Sequence, residues 1–273
     1  DFTFFSFEHY PCMGGRRCAE WNSLYWEPAY INRVIQAWKD NGLPPNVPFF
    51  MTEGNDLGEG NQGTVKAGLW QADYIGSFLT AGGSGTYYFH YIASGRGGSG
   101  GFLPIDDNNR VRQYTPQYLS AQVITKEWVQ PIDAPHKLYK VASDVKDKDG
   151  NILVTAYAVE RPDGLWSVML VNKDQDSDHS VKVAFVGAGQ SRHFSGPVDR
   201  VVFGPNEYVF HPDPAPPGGP AGGRGGQGGR GTISGHADPD GPASKSTVNA
   251  EGTGTMYRLP KASIIVLRGK VAP

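Results

Sequence analysis

The sequence has little of several features that mark whole classes of protein. Only two of its 273 residues are cysteines, so they cannot supply the four ligands of a structural zinc site. No apolar run approaches the roughly 20 residues that a transmembrane helix needs. The net charge of −2 offers no basic excess to attract nucleic acid or an anionic membrane. We therefore expect no metal site, no cofactor, no nucleic-acid partner and no membrane partner.

The length and composition favour a substantial folded protein. A chain of 273 residues is expected to form one large or two medium domains. Hydrophobic residues make up 38% of the chain and aromatic residues 12%, which is enough for real hydrophobic cores.

Residues 1–132 alternate between strand patterns and helix patterns. The strand patterns lie at 2–10, 47–53 and 85–91. The helix patterns lie at 29–41, 64–80 and 116–129. This rhythm predicts parallel strands covered by helices. Three such units cannot close an eightfold barrel, so we expect the C-terminal part of a (β/α)8 TIM barrel.

Residues 133–273 carry short strand patterns separated by turns. These patterns lie at 137–145, 152–159, 166–172, 180–186, 201–203, 208–211 and 263–268. The pairs Asp149-Gly150 and Asp163-Gly164 are typical of hairpin turns. The spacing predicts an antiparallel β-sandwich. Within it, 13 of the 18 residues at 214–231 are glycine or proline, which predicts a disordered insertion.

Acidic, aromatic and histidine side chains gather where the predicted parallel strands end. These residues are Glu8, His9, Tyr10, Glu53, Tyr87 and His90. In a barrel, such strand ends share the face on which active sites lie. Trp21 and Trp26 follow in a loop above that face, where a ring either stacks on a sugar or packs within the protein. Together, acids and aromatic rings at one rim favour a carbohydrate site.

The motifs at these strand ends resemble a known family. Phe-Ser-Phe-Glu-His-Tyr-Pro, Phe-Phe-Met-Thr-Glu-Gly-Asn and Gly-Thr-Tyr-Tyr-Phe-His-Tyr resemble the sixth, seventh and eighth strands of a clan A glycoside hydrolase. The sandwich, which ends in Arg-Leu-Pro-Lys-Ala-Ser-Ile-Ile-Val-Leu, is similar to the accessory domain of the xylosidase- and iduronidase-like families, with a family 39-type layout. The resemblance covers nearly the whole chain. It implies a retaining glycosidase with Glu53 as nucleophile and Tyr10 as its hydrogen-bond donor.

The sequence departs from that family pattern in two places. Relatives often carry a histidine where this chain has Glu8, so the role of Glu8 is open. The family's acid/base glutamate follows an asparagine at strand four, and nothing matching it precedes strand six here. Asn206-Glu207 cannot take its place, because that pair lies in the sandwich region. We therefore expect the acid/base residue in a missing N-terminal half of the barrel. An inverting hydrolase using Glu8 and Glu53, and a non-catalytic carbohydrate-binding or cell-surface module, stay open as alternatives.

The two cysteines bear on where the protein works. Cys12 and Cys18 lie six residues apart in one loop, where either a disulfide or two reduced thiols is feasible. The resemblance favours the disulfide and a secreted or periplasmic enzyme that acts on plant or microbial polysaccharides or oligosaccharides. No signal peptide is found at Asp1, so we expect it to have been removed or to lie outside this chain.

Overall fold

The computed structural model describes most of the chain. The described residues are 3–11, 21–56, 63–92, 101–106, 108–187, 189–213 and 235–272. The predicted disulfide between Cys12 and Cys18 and the predicted insertion at 214–231 lie outside them. The described part is mixed α/β with more strand than helix.

A small parallel sheet occupies the first part of the chain. Its strands are β1 (Phe5–His9), β2 (Phe49–Gly54) and β3 (Gly85–Thr86), in the order β1-β2-β3. The helices α1 (Glu27–Asp40) and α2 (Val65–Thr80) connect them. The two predicted helices are thus confirmed to within two residues. The third strand is shorter than the predicted 85–91, because only its first two residues pair with β2.

One face of this sheet packs against the helices. Phe5 contacts Trp38 of α1 edge-on, with ring centroids 4.5 Å apart, and Phe49 stacks on the same indole at 5.7 Å. Phe7 meets Phe78 of α2 at 6.0 Å. Because side chains alternate across a strand, every second residue of β1 and β2 enters this core.

The opposite face of the sheet is open. Phe4, Ser6 and Thr52 point away from the helices, and all three are exposed. Phe4 retains 54% of its surface although it touches Phe50. Within the described part of the chain, helices cover only the other face of the sheet.

A third helical segment follows the sheet. The helix α3 (Pro116–Gln122) continues directly into a π-helical turn, Val123–Trp128. Thr115 caps its start, since the Thr115 hydroxyl accepts a hydrogen bond from the amide of Tyr118 at 3.2 Å. The predicted single helix at 116–129 is therefore present, but its second half is wound more loosely.

The remaining strands form one large sheet and three small ones. They are β4 (Lys137–Tyr139), β5 (Val154–Glu160), β6 (Trp166–Asn172), β7 (His179–Val181), β8 (Phe185–Gly187), β9 (Gln190–Arg192), β10 (Phe194–Phe203), β11 (Tyr208–Pro212), β12 (Gly235–Asp240), β13 (Ser244–Glu251), β14 (Tyr257–Leu259) and β15 (Ser263–Val271). The large antiparallel sheet has the order β13-β10-β15-β6-β5-β4. The pairs β11-β12, β14-β7 and β8-β9 form the small sheets.

The large sheet buries both of its faces. Met169 and Val171 of β6 share a core with the helices, whereas Val168 and Leu170 belong to a second core that Phe185 of β8 and Tyr257 of β14 help to cover. This alternation gives the large sheet one core shared with the helices and a second core on its other face. The division into domains at 1–132 and 133–273 stays a prediction, because the first core contains residues from both parts.

A buried ion pair joins the helical layer to the large sheet. The Lys173 ammonium lies 3.1 Å from a carboxylate oxygen of Asp73, and both side chains are fully buried. Tyr157 donates to the other carboxylate oxygen at 2.7 Å, and the Thr155 hydroxyl donates there too. Lys173 also donates to the carbonyl of Leu24 at 3.2 Å. No sequence pattern pointed to this pair.

Several strand predictions need correction. The pattern at 137–145 yields only β4, and the pattern at 180–186 divides into β7 and β8. The pattern at 201–203 extends back to Phe194, while β9, β12, β13 and β14 had no counterpart in the predictions. Both predicted turns are confirmed, since Gly150 and Gly164 adopt φ angles of +86° and +79°. Among the described helices, none has the length and apolarity to span a membrane.

Candidate active site

The ends of β1 and β2 bring two carboxylates side by side. Phe7 pairs with Met51, but the next pair joins Glu8 to Glu53, so Thr52 is an extra residue in β2. Such bulges re-aim a side chain and are common next to active sites. Register partners share a face, so Glu53 lies beside Glu8 on the open side of the sheet. Glu8 is exposed and Glu53 is half-buried.

Tyr10 holds the Glu53 carboxylate. Its hydroxyl donates a hydrogen bond of 2.5 Å to Oε2 of Glu53. The ring of Phe89 packs edge-on against the Tyr10 ring, with centroids 5.8 Å apart. The tyrosine therefore bridges the ends of the first two strands and fixes one oxygen of the acid. The contact that the resemblance implied is present, whereas the catalytic roles of both residues stay proposals.

Buried polar residues behind Glu53 tie its strand to the segment after β3. The Asn55 amide donates to the carbonyl of Phe89 at 2.7 Å, and the Tyr88 hydroxyl donates to the Asn55 oxygen at 2.9 Å. Burial raises the pKa of Tyr88 well above its ordinary value of 10, so this hydroxyl stays protonated. Sequence reasoning missed Asn55 and Tyr88 as site residues, although Asn55 ends the motif that contains Glu53.

His9 lies on the other side of its strand. It is buried against the helices, with its ring stacked over Tyr30 and Trp70 at 5.1 and 5.8 Å. Its Nε2 is 2.7 Å from Oε2 of the fully buried Glu27. Because β1 alternates its side chains, a residue between Glu8 and Tyr10 must face inward. This placement contradicts the expectation that His9 contacts substrate.

The two predicted sugar-stacking tryptophans have different surroundings. Trp21 begins the 3₁₀-helix Trp21–Tyr25, packs against the first core, and donates its indole N–H to the carbonyl of Lys173 at 2.7 Å. Its ring is partly buried and serves in packing, while sugar stacking by Trp21 stays a prediction. Trp26 directly precedes α1 and is 41% exposed, and its stacking on a sugar stays a prediction.

Tyr87 and His90 follow β3 at the same end of the sheet. Tyr87 is 56% exposed and lies near Phe50 on the open face, with ring centroids 6.4 Å apart. His90 is half-buried, and its Nδ1 is 2.7 Å from the carbonyl of Ile92. Substrate binding by these two residues stays a prediction.

The strand ends form an open rim. Two grooves, of about 480 and 420 Å³, lie elsewhere, and neither is lined by Glu53 or Tyr10. Among the described residues, no group of three or more histidine, cysteine, aspartate or glutamate side chains could hold a metal ion. What this rim offers chemically is a positioned carboxylate, a second carboxylate beside it and exposed aromatic rings.

Comparison with known proteins identifies the fold. Neither the protein-family models nor the curated proteins yield a match. A GH51 arabinofuranosidase from Xanthomonas axonopodis pv. citri is similar, with a TM-score of 0.61 and 13% identity over 97% of this chain and 52% of that chain. A 4-O-alpha-L-rhamnosyl-beta-D-glucuronidase from Fusarium oxysporum 12S is similar with a TM-score of 0.54 and 16% identity. The match covers 97% of this chain and 52% of that chain. An alpha-L-arabinofuranosidase from Thermotoga maritima is similar with a TM-score of 0.53 and 12% identity. The match covers 97% of this chain and 52% of that chain.

This chain has a glycoside hydrolase-like fold. At such identities the likeness concerns the fold alone, and the chain spans about half the length of each of these structures. The matched proteins are TIM-barrel glycoside hydrolases, which agrees with a partial barrel followed by a sandwich-like layer. The family 39-type layout inferred from the sequence is not shown by these matches.

Proposed function

We propose that this chain is the C-terminal part of a retaining glycoside hydrolase in which Glu53 is the nucleophile. The observation that carries the proposal is the hydrogen bond from Tyr10 to Glu53, formed where parallel strands end on an open face. The Tyr10 hydroxyl engages one oxygen of the Glu53 carboxylate and leaves the other oxygen to act. The protein would work outside the cell or in the periplasm, on plant or microbial polysaccharides or oligosaccharides.

The chemistry follows from the position of Glu53. Its free oxygen attacks the anomeric carbon, and the glycosidic C–O bond breaks while a second carboxyl protonates the leaving oxygen. Water activated by that second group then displaces Glu53 and releases the sugar. Tyr10 keeps the carboxylate in one orientation throughout, which limits the reorganisation needed to reach the transition state. Glu8, Tyr87, His90 and Trp26 would bind sugar hydroxyls and rings.

The pairing of Glu8 with Glu53 counts against an inverting enzyme that uses these two residues. Paired strands lie about 4.8 Å apart. Inverting enzymes need about 6.5–9.5 Å between carboxyl groups to admit a water molecule, whereas retaining enzymes need about 5–5.5 Å. Neighbouring register positions favour the shorter separation. This spacing argues only against the inverting pair; because the family pattern places the acid/base glutamate at strand four, we assign substrate binding to Glu8 and keep the acid/base carboxyl outside this chain.

The shape of the parallel sheet supports a partner segment that supplies the acid. The order β1-β2-β3 leaves β1 and β3 as edge strands within the described residues, and one face of the sheet is uncovered. Unpaired edges expose backbone N–H and C=O groups that can pair with further strands. We propose that the N-terminal half of the barrel, carried by the same polypeptide, pairs with these edges and provides both the acid/base residue and most sugar subsites.

Substitution of the two carboxylates tests this function. In the longer polypeptide that contains both halves of the barrel, Glu53→Gln should abolish turnover of aryl glycosides, because an amide cannot attack the anomeric carbon. Glu8→Gln is the matched control and should retain measurable turnover. Circular dichroism should show the same fold for both variants.

Three outcomes would contradict the proposal. Turnover by Glu53→Gln would exclude Glu53 as the nucleophile. Sugar binding without any turnover, unchanged in Glu53→Gln, would favour the non-catalytic carbohydrate-binding module. Full activity of the 273 residues alone would make Glu8 the leading acid and exclude a separate barrel half.

A further inference from the structure

A groove of about 420 Å³ lies at one end of the sandwich-like layer, far along the chain from Glu53. It is lined by β10, by β14 and by the turn at 204–207 that follows β10. Pro205 and Pro260 supply apolar surface, while Arg200 and Arg258 supply cationic groups. Small-molecule sites have volumes of about 300–1,000 Å³ and combine apolar walls with a few polar groups. The groove has the volume of a ligand site, and most of its lining is polar or charged.

Arg200 is the unusual member of this lining. Its side chain is half-buried, and its guanidinium makes one hydrogen bond, from Nη2 to the carbonyl of Arg258 at 2.9 Å. Among the described residues, no carboxylate lies within ion-pair distance of Arg200. Burial lowers the pKa of this guanidinium below its ordinary value. The planar Arg200 guanidinium, which has five N–H donors, is thus partly desolvated. Most of these donors have no hydrogen-bond acceptor among the described residues.

The acids of the groove are already engaged by other partners. Asp178 forms an ion pair of 2.6 Å with Arg258 and accepts the backbone amide of Lys261 at 2.9 Å. Glu207 accepts the amide of Gly204 at 3.0 Å and the hydroxyl of Ser244 at 2.7 Å. These contacts fix both carboxylates, and neither forms an ion pair with Arg200, although Glu207 lies near enough to favour the charged guanidinium.

The side chains that line the groove carry a net charge of one positive unit. Three cationic and two anionic side chains line the groove, so a single positive charge is in excess. A monoanion fits this excess, whereas a phosphate dianion would be repelled by Asp178 and Glu207. Carboxylates match the planar arginine fork with two parallel hydrogen bonds. The amide of Asn206 and the ammonium of Lys261 stand beside this position and can bind hydroxyl groups.

We propose that this groove binds an acidic sugar, with the sugar carboxylate held by the two-pronged guanidinium of Arg200. The ring hydroxyls contact Asn206 and Lys261, and the apolar surface of Pro205 and Pro260 covers one side of the ring. The site is separate from the strand ends around Glu53 and does not depend on any catalytic role for that residue.

Binding of glucuronate to the intact chain tests the proposal. In ligand-detected NMR titrations, glucuronate should bind with a Kd at least tenfold lower than that of glucose, the neutral analogue of the same shape. Arg200→Gln should raise the Kd for glucuronate at least tenfold, because the amide lacks the charge and the fork. Arg192→Gln is the matched control, since Arg192 is an exposed arginine on β9 and does not line the groove.

The same titrations can overturn the proposal. Equal affinity for glucuronate and glucose, or unchanged binding in Arg200→Gln, would exclude the carboxylate contact. Displacement of glucuronate by an equal concentration of sulfate would show a general anion site instead of a sugar site. If Arg200→Gln fails to fold, Arg200→Lys keeps the charge without the fork. Full affinity in folded Arg200→Lys would contradict the two-pronged contact.

Discussion

Replacing Lys173 with methionine should destabilise the protein strongly, because it leaves a buried carboxylate without its cation. Lys173 and Asp73 are both fully buried and lie 3.1 Å apart. Methionine fills similar space but cannot donate to Asp73 or to the carbonyl of Leu24. Asp73 would then retain only its contacts from the Tyr157 and Thr155 hydroxyls.

The size of the effect follows from the burial of both groups. Removal of one partner from a buried ion pair costs about 3–5 kcal/mol of unfolding free energy. A typical protein has about 5–15 kcal/mol in total, so Lys173→Met should remove a large share of its stability. Asp73→Asn combined with Lys173→Met removes both charges and keeps an acceptor for Tyr157. The double variant should recover more than half of the loss.

Urea unfolding followed by tryptophan fluorescence measures these differences. The matched control is Lys137→Met, which breaks the 3.3 Å pair with Glu160 on the surface, where the lysine side chain is 71% exposed. This control should show no measurable loss, because exposed pairs are screened by solvent. Equal stability of Lys173→Met and the parent chain would refute the reasoning. A double variant no more stable than Lys173→Met would refute the coupling between the two charges.

Three further substitutions or measurements address other parts of the molecule. Tyr10→Phe in the complete enzyme should lower kcat/KM about tenfold to a hundredfold, since a hydrogen bond to a charged group contributes about 1.5–3 kcal/mol; an unchanged rate with aryl glycosides would contradict this. Burial tends to raise the pKa of Asp163, but hydrogen bonds from Arg161 and a backbone amide lower it overall below 3.8. Its stabilisation is therefore present above pH 3.8 and is lost as the pH falls further, so Asp163→Asn should flatten the acid end of a stability–pH curve, and an unchanged curve would argue against it. Thiol titration of the unfolded, unreduced chain should find no free thiol at Cys12 or Cys18, and two reactive thiols would exclude the disulfide.

Elements with strong local patterns could be predicted from the sequence. The strand at Trp166–Asn172 was predicted with its observed bounds, because its apolar run is bounded by turn residues. The helices α1 and α2 were found through their apolar periodicity. The strand β13, Ser244–Glu251, was missed because it is polar and mostly exposed. Its strand conformation comes from backbone pairing with β10, whose residues are distant in sequence.

The candidate site shows the same limit. Glu53 and Tyr10 could be named from their motifs, and the structure brings them into contact. His9 was misassigned because the partner that fixes it, Glu27, lies in another element. Which face a side chain joins depends on strand register and on long-range packing, neither of which a short motif contains.

Covalent trapping tests the central claim most directly. An activated 2-deoxy-2-fluoro glycoside of suitable configuration should inactivate the complete enzyme and leave a sugar attached to Glu53, detectable as a mass shift of the peptide that contains it. The same treatment should leave Glu53→Gln unlabelled. A stable adduct on a different residue, or turnover of the substrate without any trapped adduct, would contradict a retaining mechanism through Glu53.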